Sequence, residues 1–263
     1  MKRFLSVLPN DVKRPLRNAR DFVIRVKNLM LYQGKNHFCP VCQKSLRAFA
    51  PYGRSRRKGA LCIYCGSLER HRLLWLYLTQ KTDLFDGRPK DVLHIAPEPC
   101  FKPIFHQKLG SGYLTADLND DHVMVKMDIT NIQYPDASFD VILCSHVLEH
   151  VPDDRKAMRE FWRVLKPTGW AILLVPIMAE VTFEDPSIVD PQARFIAFGQ
   201  EDHVRVYGRD FPDRLRGAGF TVQTTTVTDL VPDPEATVQM GLTIVERSTF
   251  AQNFPGNCQC FPH

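Results

Sequence analysis

Four cysteines stand in two pairs, Cys39-Pro-Val-Cys42 and Cys62-Ile-Tyr-Cys65, with nineteen residues between the pairs. Two Cys-x2-Cys knuckles at this separation bring four thiolates to one tetrahedral ion, and sulfur donors favour zinc. Iron of the rubredoxin kind uses the same donors, and spacing leaves both ions open. A shell filled by four sulfurs has no position for substrate or water, so the ion's role is structural. The surrounding segment, His37 to Gly66, is turn-rich and poor in apolar residues, a unit that needs a metal in place of a core. His71, six residues past Cys65, reads as a packing histidine rather than a fifth ligand. Cys258 and Cys260 form a Cys-x-Cys pair in the tail, either tolerated or metal-binding.

A second set of reactive side chains is spread over short turns: His94-Ile-Ala96-Pro-Glu98, Asp117-Leu118, Asp128-Ile129 and Ser145-His146-Val-Leu-Glu-His150. An acidic residue at the end of a strand, about 20 residues after a first βα turn, can accept hydrogen bonds from both hydroxyls of a ribose. Asp117 holds that position, and Asp128 is placed for an adenine amino group. Further on, Phe198 to Gly208 packs His203, Arg205 and Tyr207 into one short segment. Histidine titrates near neutral pH, so His203 is a candidate general base, with Arg205 and Tyr207 as candidate acceptor-binding residues. A hydrogen-bonded buckle that only holds this segment in place is an equal reading.

The elements that must position these groups follow from periodicity. Residues 11–31 carry one apolar stripe at spacings of three and four, flanked by arginines and lysines, which predicts a basic amphipathic helix. Ser67 reads as the N-cap of a helix running through Leu78, and 82–90, with Asp86-Gly87 and Pro89, reads as a linker. Beyond it, predicted strands at 91–95, 113–116, 122–125, 139–144 and 169–176 alternate with helices at 101–109 and 153–165. That alternation is the grammar of a doubly wound α/β sheet, which binds ligands at the carboxyl ends of its strands. Two more strands are predicted at 220–227 and 242–245.

Composition narrows the functional classes. The chain of 263 residues is 44% hydrophobic and 24% charged, an ordinary globular composition. Its longest apolar run, Trp170 to Ala179, is interrupted by Pro176 and is far shorter than a membrane span. The apolar stretch Phe4 to Pro9 is too short for a signal-peptide core, so the expected compartment is the cytoplasm. Residues 1–72 hold 17 basic and 3 acidic side chains, net +14, whereas the rest hold 17 and 26, net −9. A basic first quarter suggests RNA or another polyanion as partner, with Arg54, Arg56, Arg57 and Lys58 facing phosphates and Tyr52 as a stacking ring.

The ordered run Ser138-Phe-Asp-Val-Ile through Val147-Leu-Glu-His-Val-Pro-Asp153 to Arg163-Val-Leu-Lys-Pro-x-Gly169 resembles the class I S-adenosylmethionine-dependent methyltransferases of the group often called type 11. The resemblance covers residues 91–177. It implies a Rossmann-like sheet, methyl transfer from S-adenosylmethionine, and a cofactor site at Ala96, Glu98, Asp117, Leu118, Asp128, Ile129, Ser145 and His146, with His150 and His203 as catalytic candidates. The family's first turn is glycine-rich, because glycine lets the backbone approach the cofactor. Here Ala96 and Glu98 replace glycines, and Glu98 is placed to bond the cofactor's ammonium group. The expected layout is a basic helical arm at 1–35, a four-cysteine zinc unit with its following helix at 36–82, and a methyltransferase domain at 83–263 with an insertion at about 178–212. A small molecule, a glycan or RNA remain as acceptors. A zinc-containing nucleic-acid-binding protein with a vestigial methyltransferase fold is the non-catalytic alternative.

Overall fold

The computed structural model describes residues 27, 30–53, 56–242 and 251–252. Of the predicted N-terminal helix, residues 27 and 30–32 are helical and the remainder lies outside the described residues, as do Cys258 and Cys260. The chain forms two units, Met1–Trp75 with Asp233–Ile244, and Leu76–Pro232 with Val245–His263. Residues 233–244, read from sequence as part of the second domain, group with the first.

In the first unit, β1 (His37–Cys39) pairs antiparallel with β2 (Lys44–Leu46), and β3 (Ala50–Tyr52) with β4 (Arg57–Leu61). Each Cys-x2-Cys pair is a tight turn at the end of one of these hairpins. The amide of Gln43 donates to the Cys39 carbonyl at 2.8 Å, and that of Gly66 to Cys62 at 2.9 Å. Gly66 has φ +78°, a left-handed turn for which glycine carries no steric penalty. Helix α1 (Glu69–Gln80) follows. Ser67 lies outside it and directs its hydroxyl at the cysteine sulfurs, so the predicted N-cap role is replaced by a sulfur contact.

Arg72 on α1 is fully buried. Its guanidinium donates to the carbonyls of Ala60 (2.9 Å), Ser67 (3.2 Å), Met240 (2.7 Å) and Gly241 (2.9 Å) and lies 3.7 Å from the Phe49 ring centroid. Those bonds tie residues 240–241 to the cysteine hairpins.

In the second unit a six-stranded sheet is built from β5 (Val92–Ile95), β6 (Tyr113–Asp117), β7 (Val125–Lys126), β8 (Phe139–Ser145), β9 (Leu165–Leu174) and an edge strand at Ala251–Gln252. Reading across from that edge, the order is Ala251–Gln252, β9, β8, β5, β6, β7. The first five strands in sequence run parallel, and the last is antiparallel to β9. The chain works outward from β5 to β7, then returns to β5's other side, which creates the switch point where such sheets bind ligands. Val92-Leu-His-Ile95 is buried throughout, as a central parallel strand requires. Helix α2 (Lys102–Leu109) and helix α3 (Asp154–Val164) are crossovers, and α3 lays Ala157, Met158, Phe161 and Val164 into the core with Leu93, Ile142 and Leu173.

An inserted layer follows β9: β10 (Ile177–Ala179), β11 (Phe183–Glu184), helix α4 (Pro191–Phe198) and β12 (Arg205–Gly208), with β12 between the other two strands. Helix α5 (Phe211–Gly217) then returns to the core. The strand predicted at 220–227 does not form among the described residues. Its apolar alternation ends in a helical turn, Val227–Leu230, closed by a capping box between Thr226 and Asp229. Of the predicted 242–245 strand only Leu242 is described, and it is irregular.

Gly241 adopts φ +63°, and a Cβ there would fall 2.7 Å from the Phe49 ring and 2.8 Å from Arg72 Nη2. We expect Gly241→Ala to destabilise the first unit by about 1–3 kcal/mol through backbone strain and displaced contacts. An unchanged thermal midpoint and unchanged proteolytic resistance of residues 30–75 would refute this reading.

Candidate active site and cysteine cluster

The carboxyl ends of β5, β6 and β8 open onto a cavity of about 740 Å³, the size range of small-molecule and cofactor sites. Ala96, Asp117, Leu118, Asp128, Ile129, His146 and His150 line it. Two of its turns use left-handed backbone at non-glycine residues, Ala96 with φ +47° and His146 with φ +57°. Ala96 thus holds a left-handed turn of the kind glycine adopts without steric penalty, fixed by the hydrogen bond from its amide to the Ala116 carbonyl at 2.8 Å. Asp117 Oδ1 accepts the amides of Asn119 (2.7 Å) and Asp120 (2.8 Å), and Asp128 Oδ1 accepts the amide and hydroxyl of Thr130 (2.8 and 2.9 Å). Backbone donors thus fix one oxygen of each carboxylate.

Two of the sequence-predicted cofactor residues stand elsewhere. Glu98 is buried and turns away from the cavity, with Oε2 at 2.8 Å from His94 Nε2, while His94 Nδ1 meets the Tyr113 hydroxyl at 2.8 Å. Burial, then the Glu98 carboxylate, pushes the Tyr113 hydroxyl well above its ordinary pKa. The expected ammonium contact is replaced by this internal chain. Ser145 ends β8 with its hydroxyl 3.2 Å from His146 Nδ1 and is not in the wall. Sequence reading missed Asn119, Thr130, Val147, Pro152, Asp153, Lys156 and Asp202, all of which line the cavity. The run Val151-Pro-Asp-Asp before α3 signalled the loop, since Asp153 caps that helix by accepting the Lys156 amide at 2.9 Å.

Arg205 and Tyr207 do not reach the cavity. Arg205 is buried and donates to the carbonyls of Leu148 (2.7 Å), Val151 and Pro152 (2.8 Å) and to Glu184 Oε2 (2.9 Å). Tyr207 donates to Asp154 Oδ2 at 2.6 Å, and Arg214 bridges Asp154 and Glu184. Arg205 and Tyr207 are both buried on β12, the middle strand of its small sheet. Neither residue lines the cavity, and both make the internal bonds expected of a hydrogen-bonded buckle. They hold the loop that carries His150 against the segment that carries His203.

His150 reaches the cavity and pairs through Nδ1 with Asp202 at 3.2 Å. His203 is 4% exposed, with its ring edge-on to His150 at 4.7 Å between centroids. Burial, then the neighbouring His150, lowers its pKa.

In the other unit, the four cysteine sulfurs lie within 4.8 Å of one another, with Cys39–Cys65 at 3.7 Å and Cys42–Cys62 at 3.8 Å. A tetrahedron with zinc–sulfur bonds of about 2.3 Å has an edge of about 3.8 Å. Ser67 Oγ lies 3.2 Å from Cys39 and 3.3 Å from Cys65. Contacts with the other sulfurs, Cys42 first, pull the Cys39 thiol far below its ordinary pKa. The basic loop is less open than its composition suggested. Arg57 forms a two-pronged pair with the buried Glu69 at 2.8 and 2.9 Å, Arg56 and Lys58 are exposed, and Arg54 lies outside the described residues. The four-cation phosphate face expected for RNA thus loses Arg57 to an internal carboxylate.

Residues 106–173 match the methyltransferase domain family. The strand order agrees with that match. The sheet has the Rossmann-like arrangement found in class I methyltransferases. Among similar proteins, 27-O-demethylrifamycin SV methyltransferase of Amycolatopsis mediterranei is 43% identical over 54 residues, 20% of this chain and 20% of its own. Demethylmenaquinone methyltransferase of Deinococcus radiodurans is 40% identical over 76 residues, 29% of each chain. This chain therefore spans between a fifth and a third of the length of these relatives. A solved structure, the Burkholderia thailandensis 1,6-didemethyltoxoflavin-N1-methyltransferase with bound 1,6-didemethyltoxoflavin and S-adenosylhomocysteine, is similar at TM-score 0.48 and 16% identity, covering 72% of this chain and 78% of that one. Among the described residues no helix is long and apolar enough to cross a membrane.

The ion pairs of the inserted layer, in which Glu184 meets Arg205 and Arg214, carry a pH signature. Arg214 first, then Arg205, holds the Glu184 carboxyl down at about 2, against an ordinary 4.5. A depressed carboxyl stabilises the fold above its unfolded value, and that stabilisation fades as pH falls from about 4.5 toward 2. The stability difference between the native chain and Glu184→Gln should therefore be largest at neutral pH and shrink across that window in urea titrations; a gap independent of pH contradicts the pairing.

Proposed function

We propose that the protein transfers a methyl group from S-adenosylmethionine to an acceptor held in the cavity, and that the four cysteines bind one structural zinc ion. The observation that carries the first part is the pair of carboxylates, Asp117 and Asp128, fixed by backbone amides on the wall of one cavity at the carboxyl ends of parallel strands. The lining suits an adenosine: Asp117 accepts from the ribose hydroxyls, Asp128 from the adenine amino group, and Leu118 and Ile129 supply apolar surface for the base. When bound, S-adenosylmethionine supplies a sulfonium-activated methyl carbon. The chain's own contribution is to orient the two partners and exclude water, the main requirement of a methyl transfer. His150 and His203 mark the acceptor side, where the inserted layer meets the loop after β8. The retained left-handed turn at Ala96 supports a working site in place of a vestigial one, as does the fixing of both carboxylates.

For zinc, the support is the tetrahedral spacing of the sulfurs and the buried charge beside them. Four thiolates around a divalent ion carry net −2, and Arg72 is a cation nearby; burial pulls its pKa down, and the negative charge of Cys39, Glu69, Cys62 and Cys65 opposes that shift.

Calorimetry with S-adenosylmethionine tests the transferase reading. Binding by the native chain should weaken about 10- to 150-fold in Asp117→Ala, the loss of hydrogen bonds to a charged group. No binding by the native chain overturns the reading, and unchanged affinity in the variant overturns the ribose role. Elemental analysis should find one zinc per chain; Cys39→Ser should lose it and expose residues 37–66 to protease while the sheet stays folded. Protein free of both zinc and iron removes the metal claim.

A further inference from the structure

Next to the cavity stands a group of three side chains that the nucleoside contacts do not use; His150 reaches the cavity, and Glu149 and His203 are buried behind it. One ligand atom from each of Glu149, His150 and His203 lies within 4.8 Å of the other two. Their chemistry is that of a cation site with vacant positions: two imidazoles and one carboxylate, the donor set that divalent zinc, iron and cobalt accept. Glu149 is 2% exposed, and a carboxylate held so far from water is stabilised by a cation beside it.

The two histidines are arranged as metal ligands are. His203 makes its ring hydrogen bond to the Phe198 backbone, while its Nε2 is buried and without a hydrogen-bond partner. A ring that donates one N–H to a carbonyl presents a lone pair at the other nitrogen. His150 gives its Nδ1 to Asp202 at 3.2 Å, the carboxylate–histidine arrangement that orients a ligand and strengthens its other nitrogen. The backbone locks the three together, since the Val204 amide donates to the Glu149 carbonyl at 2.9 Å and Arg205 clamps the carbonyls on both sides of Glu149 and His150.

We propose that Glu149, His150 and His203 bind a divalent cation at the cavity wall, with open positions that take oxygen donors of the methyl acceptor. His150 and Asp202 line the same cavity as Asp117 and Asp128, so an ion held there faces the space the acceptor would enter. A cation so placed lowers the pKa of a bound hydroxyl and fixes its direction, which selects an acceptor bearing oxygen over one bearing only a neutral amine. The use of the ion in methyl transfer rests on the transferase reading above; its binding does not.

Cobalt(II) is the probe. Added to the chain as purified, with its cysteine metal in place, it should bind one further equivalent and give weak d–d bands of nitrogen–oxygen ligation without growth of thiolate charge-transfer absorption. His150→Gln and His203→Gln should each weaken that binding more than about 100-fold, and Asp202→Asn about 10- to 100-fold as an outer partner. Acetohydroxamate, a two-oxygen donor, should shift the bands. If His203→Gln proves unfolded by circular dichroism, the half-exposed His150→Gln carries the test. Failure to bind a further equivalent, growth of thiolate bands alone, or indifference to His150→Gln overturns the site; bands unmoved by acetohydroxamate overturn its open positions. Calorimetry with S-adenosylmethionine separates the two readings: cofactor binding without cobalt uptake sinks the cation site alone, and cobalt uptake without cofactor binding sinks the transferase reading alone.

Discussion

The buried guanidinium of Arg205 is the contact on which the cavity's geometry depends. It donates to three carbonyls of the loop after β8 and to Glu184 in the inserted layer. A loop carries carbonyls that no strand or helix satisfies, and burying them unpaired costs about 1–3 kcal/mol each. One planar group with five donors answers three of them at once. The loop is thereby fixed in the one conformation that places Glu149 toward His203 and His150 at the cavity.

The first unit solves a similar problem with Arg72, which is also buried and also bonded mainly to carbonyl oxygens. A buried cation needs more than dipoles to be stable, and the two arginines find their charge in different places. Arg205 and Arg214 share Glu184 and Asp154. Arg72 has the four cysteine sulfurs nearby, and a zinc ion bound there as proposed would leave net negative charge beside the buried guanidinium.

Much of this was legible in the sequence. Val92-Leu-His-Ile95 and Phe139 to Ser145 are apolar runs of strand length between turn residues, and their neighbours carry the carboxylates at strand ends. The cysteine spacing located the four-cysteine cluster without any fold. What escaped was direction. Glu98 sits in the correct turn, yet its side chain goes to His94, four residues back, because Tyr113 and His94 form a buried polar chain that needs a carboxylate to end it. Arg205 and Tyr207 look like binding residues in a loop, and nothing local reveals that their segment becomes the central strand of a small sheet. At 220–227 the apolar alternation suggested a strand, but a capping box closes a helical turn there. The sheet's edge is taken instead by Ala251–Gln252.

The first unit is discontinuous, and this has a consequence for how the chain is made. Arg72 finds two of its carbonyl partners 168 and 169 residues further on. A ribosome adding about 5–20 residues per second needs on the order of ten to thirty seconds to supply them. Throughout that interval the emerging cysteine hairpins hold a guanidinium whose final acceptors do not yet exist. On the proposed zinc reading, capture by the four thiolates needs only the first 65 residues, and the ion would hold the young unit together until the sheet has been synthesised and the returning segment arrives.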